Sequence, residues 1–323
     1  MNMFTPDFKI HIPKISLSKP VAVRLAAGLL SAAVVCGACA ALIPSADAAQ
    51  SAIPTTVELK SGVTVYQNAK ASVDASNLSE GFVMVKYTGG KNVRIKVQIS
   101  KTGGTTYTYN LNNTGAYETF PLTEGDGSYT VKVYENTTGT KYAQAYSTAL
   151  TVQLRNAFLP FLYANQYVNF TSDSKTVSKG AEIVKAANAT TDLAKVQAIF
   201  TWVTKNFTYD YELAANPPTG YLPVVDKVLE AKKGICFDYS AVMAAMLRSQ
   251  KIPCKLVIGY AGTVYHAWIN VYIEGVGWVD KAIYFDGKTW TLMDPTFVST
   301  GKGSASIMKY VTTASNYSAK YAY

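Results

Sequence analysis

Lys233-Gly234-Ile235-Cys236-Phe237-Asp238-Tyr239-Ser240 is the stretch on which the reading of this chain turns. Gly234 breaks the chain, and the residues from Cys236 to about Gln250 then have helical spacing, with Val242, Ala245, Met246 and Ser249 at core positions. The first turn of a helix has backbone N–H groups without intrahelical acceptors, and its dipole favours negative charge. A thiol ionises at about pH 8.5 and attacks only as the thiolate, so Cys236 stands where thiolate is favoured. Gly234 is expected to permit a tight approach to the helix and to leave room for a substrate at the sulfur.

Working outward, Tyr265-His266-Ala267-Trp268-Ile269-Asn270-Val271-Tyr272 alternates like a strand. His266, Trp268 and Asn270 share one face, and Tyr265, Ala267, Ile269 and Val271 the other. Leu292-Met293-Asp294-Pro295-Thr296 reads as a strand end at which proline stops pairing. Cys on a helix, His on one strand and Asp on another supply nucleophile, base and orienting acid. Strands are expected at Lys255–Tyr260, His266–Glu274 and Trp290–Met293. Upstream, Leu193, Val196, Phe200, Val203 and Phe207 line one face of a helix over Asp192–Phe207, capped by Thr191 or Asp192. Pro217-Pro218 and Gly220 interrupt the chain, and a short helix follows over Pro223–Lys232. Helices followed by strands make an α+β domain.

Five blocks together resemble the transglutaminase-like superfamily: Gly234–Ser240, Arg248–Pro253, Val257–Tyr260, His266-Ala267-Trp268 and Asp294-Pro295-Thr296. Their order and spacing agree over about residues 190–300. The resemblance implies a papain-like core in which Cys236 attacks an amide carbonyl and forms a thioester. It implies that His266 shuttles the proton, Asp294 holds the imidazole, and water or an amine resolves the thioester. It also implies an upstream aromatic residue at the oxyanion, for which Tyr209 is the candidate, with Trp202 behind it. The backbone N–H of Cys236 would be the second donor. The interval from His266 to Asp294 is longer than in short members of the family, because 280–287 is inserted there. Asp280 is therefore a rival acid, and Asp294 is preferred because Asp-Pro-Thr matches the family block.

The remainder of the chain reads differently. Residues 1–48 carry Lys9, Lys14, Lys19 and Arg24, then an apolar run over about Leu25–Ile43 and the small-x-small box Ala46-Asp47-Ala48. This is the layout of a signal peptide, so the expectation is a secreted protein, with an uncleaved anchor or a lipoprotein at Cys36 or Cys39 as rivals. Residues 49–80, rich in Ser, Thr and Ala, read as a linker. Residues 81–156 show short alternating segments at Gly81–Tyr87, Val93–Ile99, Thr105–Asn110, Ser128–Glu135, Lys141–Ser147 and Ala149–Leu154, parted by glycine and asparagine turns. These indicate an all-β immunoglobulin-like sandwich, and Gly125–Val131 looks like its tyrosine-corner segment. Residues 157–323 are then the catalytic domain.

The formal charge is +9. Removing Lys9, Lys14, Lys19 and Arg24 against Asp7 and Asp47 leaves the mature chain near +7. The cations are scattered, which suits an anionic cell wall and not a nucleic acid. Contact with membrane is expected only through the signal segment. One histidine, His266, remains after residue 48, so no His-based metal site and no cofactor is expected. Two cysteines also remain, Cys236 and Cys254, and an exported protein with two cysteines invites a disulfide. The sequence thus leaves two classes of function open. One is a protease or amidase, less readily a crosslinking transferase, acting on protein or peptide amides. The other is a surface-binding or structural protein that keeps the fold without turnover.

Overall fold

A computed structural model describes residues 59–279, 284–285, 290–291 and 317–323. Eight strands come first: β1 (Val65–Gln67), β2 (Ala71–Asp74), β3 (Phe82–Tyr87), β4 (Ile95–Lys101), β5 (Thr106–Leu111), β6 (Glu118–Pro121), β7 (Gly127–Thr138) and β8 (Lys141–Val152). They form two antiparallel sheets, ordered β1-β2-β3-β6 and β5-β4-β7-β8. Alternation decides which side chains enter the space between them. In β4, Ile95, Val97 and Ile99 are buried, and Val97 and Ile99 stand opposite Val133 and Val131 of β7. The Tyr129 hydroxyl donates to the Gly125 carbonyl at 2.8 Å, the bond expected of a tyrosine corner.

Two expectations change here. The stretch 49–80, read as a linker, contributes β1 and β2 within its described part, and Ala71, Ser72, Val73 and Asp74 are all buried. The segments Lys141–Ser147 and Ala149–Leu154 are one continuous strand, β8, because β7 runs unbroken beside it and absorbs the mismatch in two register shifts.

The second unit contains α1 (Lys175–Ala186), α2 (Asp192–Asn206), β9 (Thr208–Tyr209), α3 (Tyr211–Ala215), α4 (Val225–Ala231), β10 (Lys233–Gly234) and α5 (Cys236–Ser249). There follow β11 (Cys254–Ala261), β12 (Val264–Ile273), β13 (Gly277–Val279), β14 (Tyr284–Phe285), β15 (Trp290–Thr291) and β16 (Tyr317–Ala322). Helix α5 is buried along its whole length from Cys236 to Arg248. A helix apolar on every side needs partners on every side. Helices α1, α2 and α4 supply one set, and β11 and β12 of the antiparallel sheet β13-β12-β11-β16 supply the other. Gly180 lets α1 come close: a Cβ there would lie 3.1 Å from Cβ of Met246. Thr191 Oγ1 accepts the Ala194 N–H and caps α2, as its sequence suggests.

The sandwich and the mixed unit share one continuous apolar core. Tyrosines make the junction. Tyr107 and Tyr109 of β5 meet the ring of Tyr323 at 5.6 and 5.8 Å, and Tyr323 stacks on Tyr167 at 4.0 Å with the planes 6° apart. A polar brace lies at another part of the junction. Arg155 grips the Glu80 carboxylate with Nε at 2.9 Å and Nη2 at 2.8 Å, and the Tyr163 hydroxyl donates to the same carboxylate at 2.7 Å. These donors hold Glu80 below the usual carboxylate range.

Candidate functional site

The turn before Cys236 is built by two very short strands. β9 pairs with β10 in parallel, with Tyr209 opposite Gly234, and the Asp210 N–H donates to the Gly234 carbonyl at 2.9 Å. Asp210 is itself held by the Leu213 N–H at 3.1 Å and by Lys233 at 3.2 Å, contacts that lower its pKa. The ring of Tyr209 meets Tyr211 edge-on at 5.0 Å. Tyr209, proposed at the oxyanion, therefore lies beside the backbone that leads into the cysteine.

Cys236 is the first residue of α5, a free thiol with no exposed surface. Ile235 occupies the N-cap and has no side-chain acceptor to offer the helix. Only the acid half of a capping box exists: the Asp238 carboxylate accepts the Ile235 N–H at 2.8 Å. Its other oxygen accepts the Tyr221 hydroxyl at 2.6 Å. Asp238 is fully buried, and burial pushes its pKa up to about 6 against the lowering effect of those two donors. Gly234 has a different reason for being glycine than the sequence suggests. A Cβ at that position would sit 2.5 Å from the Asp238 Cβ, so the glycine makes room for the side chain at 238.

Cys254, the rival disulfide partner, is also a free and fully buried thiol, and burial pushes its pKa up to about 12. Its carbonyl accepts from Arg248 Nε at 3.0 Å and Nη2 at 2.7 Å. Arg248 also donates to the carbonyls of Tyr163 and Tyr323. Cys254 thus marks a structural node, and of the two described cysteines Cys236 is the one at a helix start.

His266 lies near the beginning of β12, opposite Gly259 of β11, and is 3% exposed. Its ring runs nearly parallel to that of Trp268, with centroids 6.5 Å apart. Trp268 packs with Val257, Ala261 and Tyr317, whereas Ala267, Ile269 and Val271 share a core with Cys236. Strand alternation therefore puts His266 on the face opposite Ala267, Ile269 and Val271. Its neighbour Tyr265 has a raised pKa, caused first by burial, then by the nearby phenols of Tyr167, Tyr321 and Tyr260, and then by Cys236. Cys236 thus lies within electrostatic reach of Tyr265, the residue before His266. Asp294 and its rival Asp280 lie outside the described residues.

Asp238 lies in the first turn, where the helix dipole favours an acid, and its partner is not legible in the sequence. Tyr221 sits in the loop after Pro217-Pro218, and neither periodicity nor spacing links a loop tyrosine to a helix residue seventeen positions away. Trp202, expected behind Tyr209, packs edge-on against Phe207 at 6.1 Å and takes the Lys179 ammonium over its ring.

Residues 179–295 match the family model of the transglutaminase-like superfamily core. YebA of Bacillus subtilis (strain 168), an uncharacterised protein, is 32% identical over 104 residues, which are 26% of this chain and 14% of that protein. The kyphoscoliosis peptidase of Mus musculus is 28% identical over 123 residues, which are 34% of this chain and 16% of the peptidase. The chain thus matches about one-seventh of the length of these curated relatives. A candidate cysteine protease from Cytophaga hutchinsonii of known structure superposes with a TM-score of 0.36 at 15% identity, covering 80% of this chain and 73% of that one.

Proposed function

Because residues 179–295 belong to the transglutaminase-like superfamily, we propose that the chain is a cysteine-nucleophile enzyme acting on protein or peptide amides. Cys236 attacks the carbonyl carbon as His266 takes the thiol proton. The tetrahedral oxyanion is bound by the Cys236 N–H and the Tyr209 hydroxyl, and the leaving amine departs with the proton from His266. Asp294 orients the imidazole. Water then resolves the thioester to the acid, or an amine resolves it to a new amide. Hydrolysis is the preferred reading, as protease or amidase. The single observation that carries the proposal is a free thiol at the first residue of the buried helix of a transglutaminase-like core. We further infer a secreted protein, from the charged and apolar leader of residues 1–48, and an immunoglobulin-like sandwich, from the strand order and the Tyr129–Gly125 corner.

A second reading is a binding or structural protein without turnover. One observation favours it: Cys236 has no exposed surface, so a substrate must displace something to reach the sulfur. One experiment separates the two. Purified protein lacking residues 1–48 and its Cys236→Ala variant are given peptide amides with and without a primary amine. Amide cleavage lost in Cys236→Ala supports the hydrolase, and amine incorporation supports the transferase. Alkylation of Cys236 without either reaction supports the second reading. Retained cleavage in Cys236→Ala refutes the nucleophile.

A further inference from the structure

A buried carboxylate is costly unless it is paired, and among the described residues no cation pairs with Asp238. Its described neighbours are the Tyr221 hydroxyl, the Ile235 N–H and, at longer range, the Asp210 carboxylate, whose partner is Lys233. The two oxygens are divided between two parts of the chain. Oδ2 holds the peptide N–H of Ile235, immediately before Cys236. Oδ1 holds Tyr221, in the loop between α3 and α4. That loop is anchored by a turn, in which the Tyr221 N–H donates to the Pro218 carbonyl at 3.0 Å. It also touches the sandwich, for a Cβ on Gly220 would lie 2.9 Å from Asn110 Nδ2. An apolar residue at 238 would fill this space without the cost of a buried charge, and Gly234 leaves room for the side chain at 238, whose Oδ2 would lie 2.8 Å from a Cβ there.

We propose that Asp238 and Tyr221 are a positioning pair that fixes the Gly234–Ile235–Cys236 turn and ties it to the 216–224 loop. The ionised carboxylate accepts both bonds and keeps the Ile235 peptide turned into the helix. The Cys236 N–H, which has no intrahelical acceptor, is then held toward the acyl oxygen. A protonated Asp238 holds both partners less firmly: its O–H oxygen keeps Tyr221 only by reversing that bond or accepting weakly, and neither bond is charge-assisted any longer. The proposal rests on Cys236 being the reacting atom, as in the function proposed above.

The test uses the full mature chain, with Tyr221→Phe, Asp238→Asn and the double variant, each checked for folding by thermal unfolding. With a peptide amide substrate, Tyr221→Phe is expected to lower kcat about tenfold and leave KM within about twofold, since it removes a hydrogen bond to a charged group. Removing the donor disfavours the carboxylate, so the acid limb of the kcat profile moves to higher pH. In Asp238→Asn the change at 221 has no further effect. Additive losses and an unmoved pH profile would mean a merely structural contact and would overturn the proposal. A substrate-free measurement separates this outcome from failure of the proposed function. Cys236 is alkylated with iodoacetamide across about pH 6 and located by mass spectrometry, where the ratio of the Tyr221→Phe rate to the wild-type rate is expected to change. A flat ratio overturns the pair even if no substrate is found. Should Asp238→Asn fail to fold, the pH dependence of Tyr221→Phe decides.

Discussion

Replacing Asp238 by asparagine should stabilise this protein at neutral pH, and the size of the effect follows from the site. The ordinary aspartate value is 3.8, and in the folded chain it is about 6, because burial disfavours the charge more than two hydrogen bonds restore it. At about 1.36 kcal/mol per pH unit, ionising Asp238 costs the fold about 3 kcal/mol. The sign follows from a raised folded value. The folded chain binds the proton more tightly than the unfolded chain, so this group's contribution is fully present below pH 3.8 and is lost as pH rises to about 6. Asparagine has the same shape, accepts the Ile235 N–H and never ionises. The stability of Asp238→Asn minus that of wild type should therefore grow by roughly 2–3 kcal/mol between about pH 4 and pH 7. Urea unfolding followed by tryptophan fluorescence reads the right unit, since all four tryptophans (Trp202, Trp268, Trp278, Trp290) follow the sandwich in the chain. A difference that stays flat over this range, or that shrinks with rising pH, would refute the reasoning. Such a result would mean that Asp238 is solvated or has a cationic partner.

Other consequences can be checked in the same preparation. Glu135, almost fully buried between Lys70 at 2.9 Å and Lys91 at 3.2 Å and accepting from the Tyr87 hydroxyl, is lowered from 4.5 to about 2. Burial works against that lowering, and the donors outweigh it. Its contribution is present above pH 4.5 and lost as pH falls toward about 2, so acid titration of Glu135→Gln should be flatter than that of wild type over that interval. Gly259→Ala places a Cβ 2.1 Å from the Ser318 carbonyl oxygen. It should loosen β16 and lower the melting temperature by several degrees, roughly 2–4 °C per kcal/mol for a chain this size. Cys254→Ser puts a hydroxyl into an apolar core and should cost about 1–3 kcal/mol in urea unfolding, while alkylation at Cys236 continues. Loss of that alkylation would mean that the two cysteines are functionally linked.

Helix α5 and strands β11 and β12 were legible because each has a dense apolar pattern in one uninterrupted stretch. Helix α1 was missed because its buried positions are Thr176, Gly180 and Ile183, and small residues there serve close approach to α5 and carry little hydrophobic signal. β1 and β2 were hidden in a Ser/Thr/Ala-rich stretch, where Ser72 is buried in a hydrogen bond shared with the Tyr117 hydroxyl and Asp74 on the strength of hydrogen bonds from Ser61, Gly62 and Ser76. β16 escaped notice because its partner β11 is distant in sequence, and only tertiary contact selects Tyr317–Ala322 as a strand. At the candidate site, the helix that begins at Cys236 and the strand that carries His266 could be read from local period. The Tyr221–Asp238 bond could not, for nothing local encodes which loop hydroxyl meets a buried carboxylate.

The tyrosine junction has a consequence for anyone handling fragments of this chain. Tyr107 and Tyr109 belong to the sandwich, yet they wall the same pocket of rings as Tyr167 and Tyr323, and Phe237 lies 5.4 Å from Tyr167, one residue beyond the cysteine. The sandwich is therefore no detachable handle. A fragment beginning at residue 157 would bare a belt of phenol rings to water close to Cys236, and self-association through that belt is its expected fate.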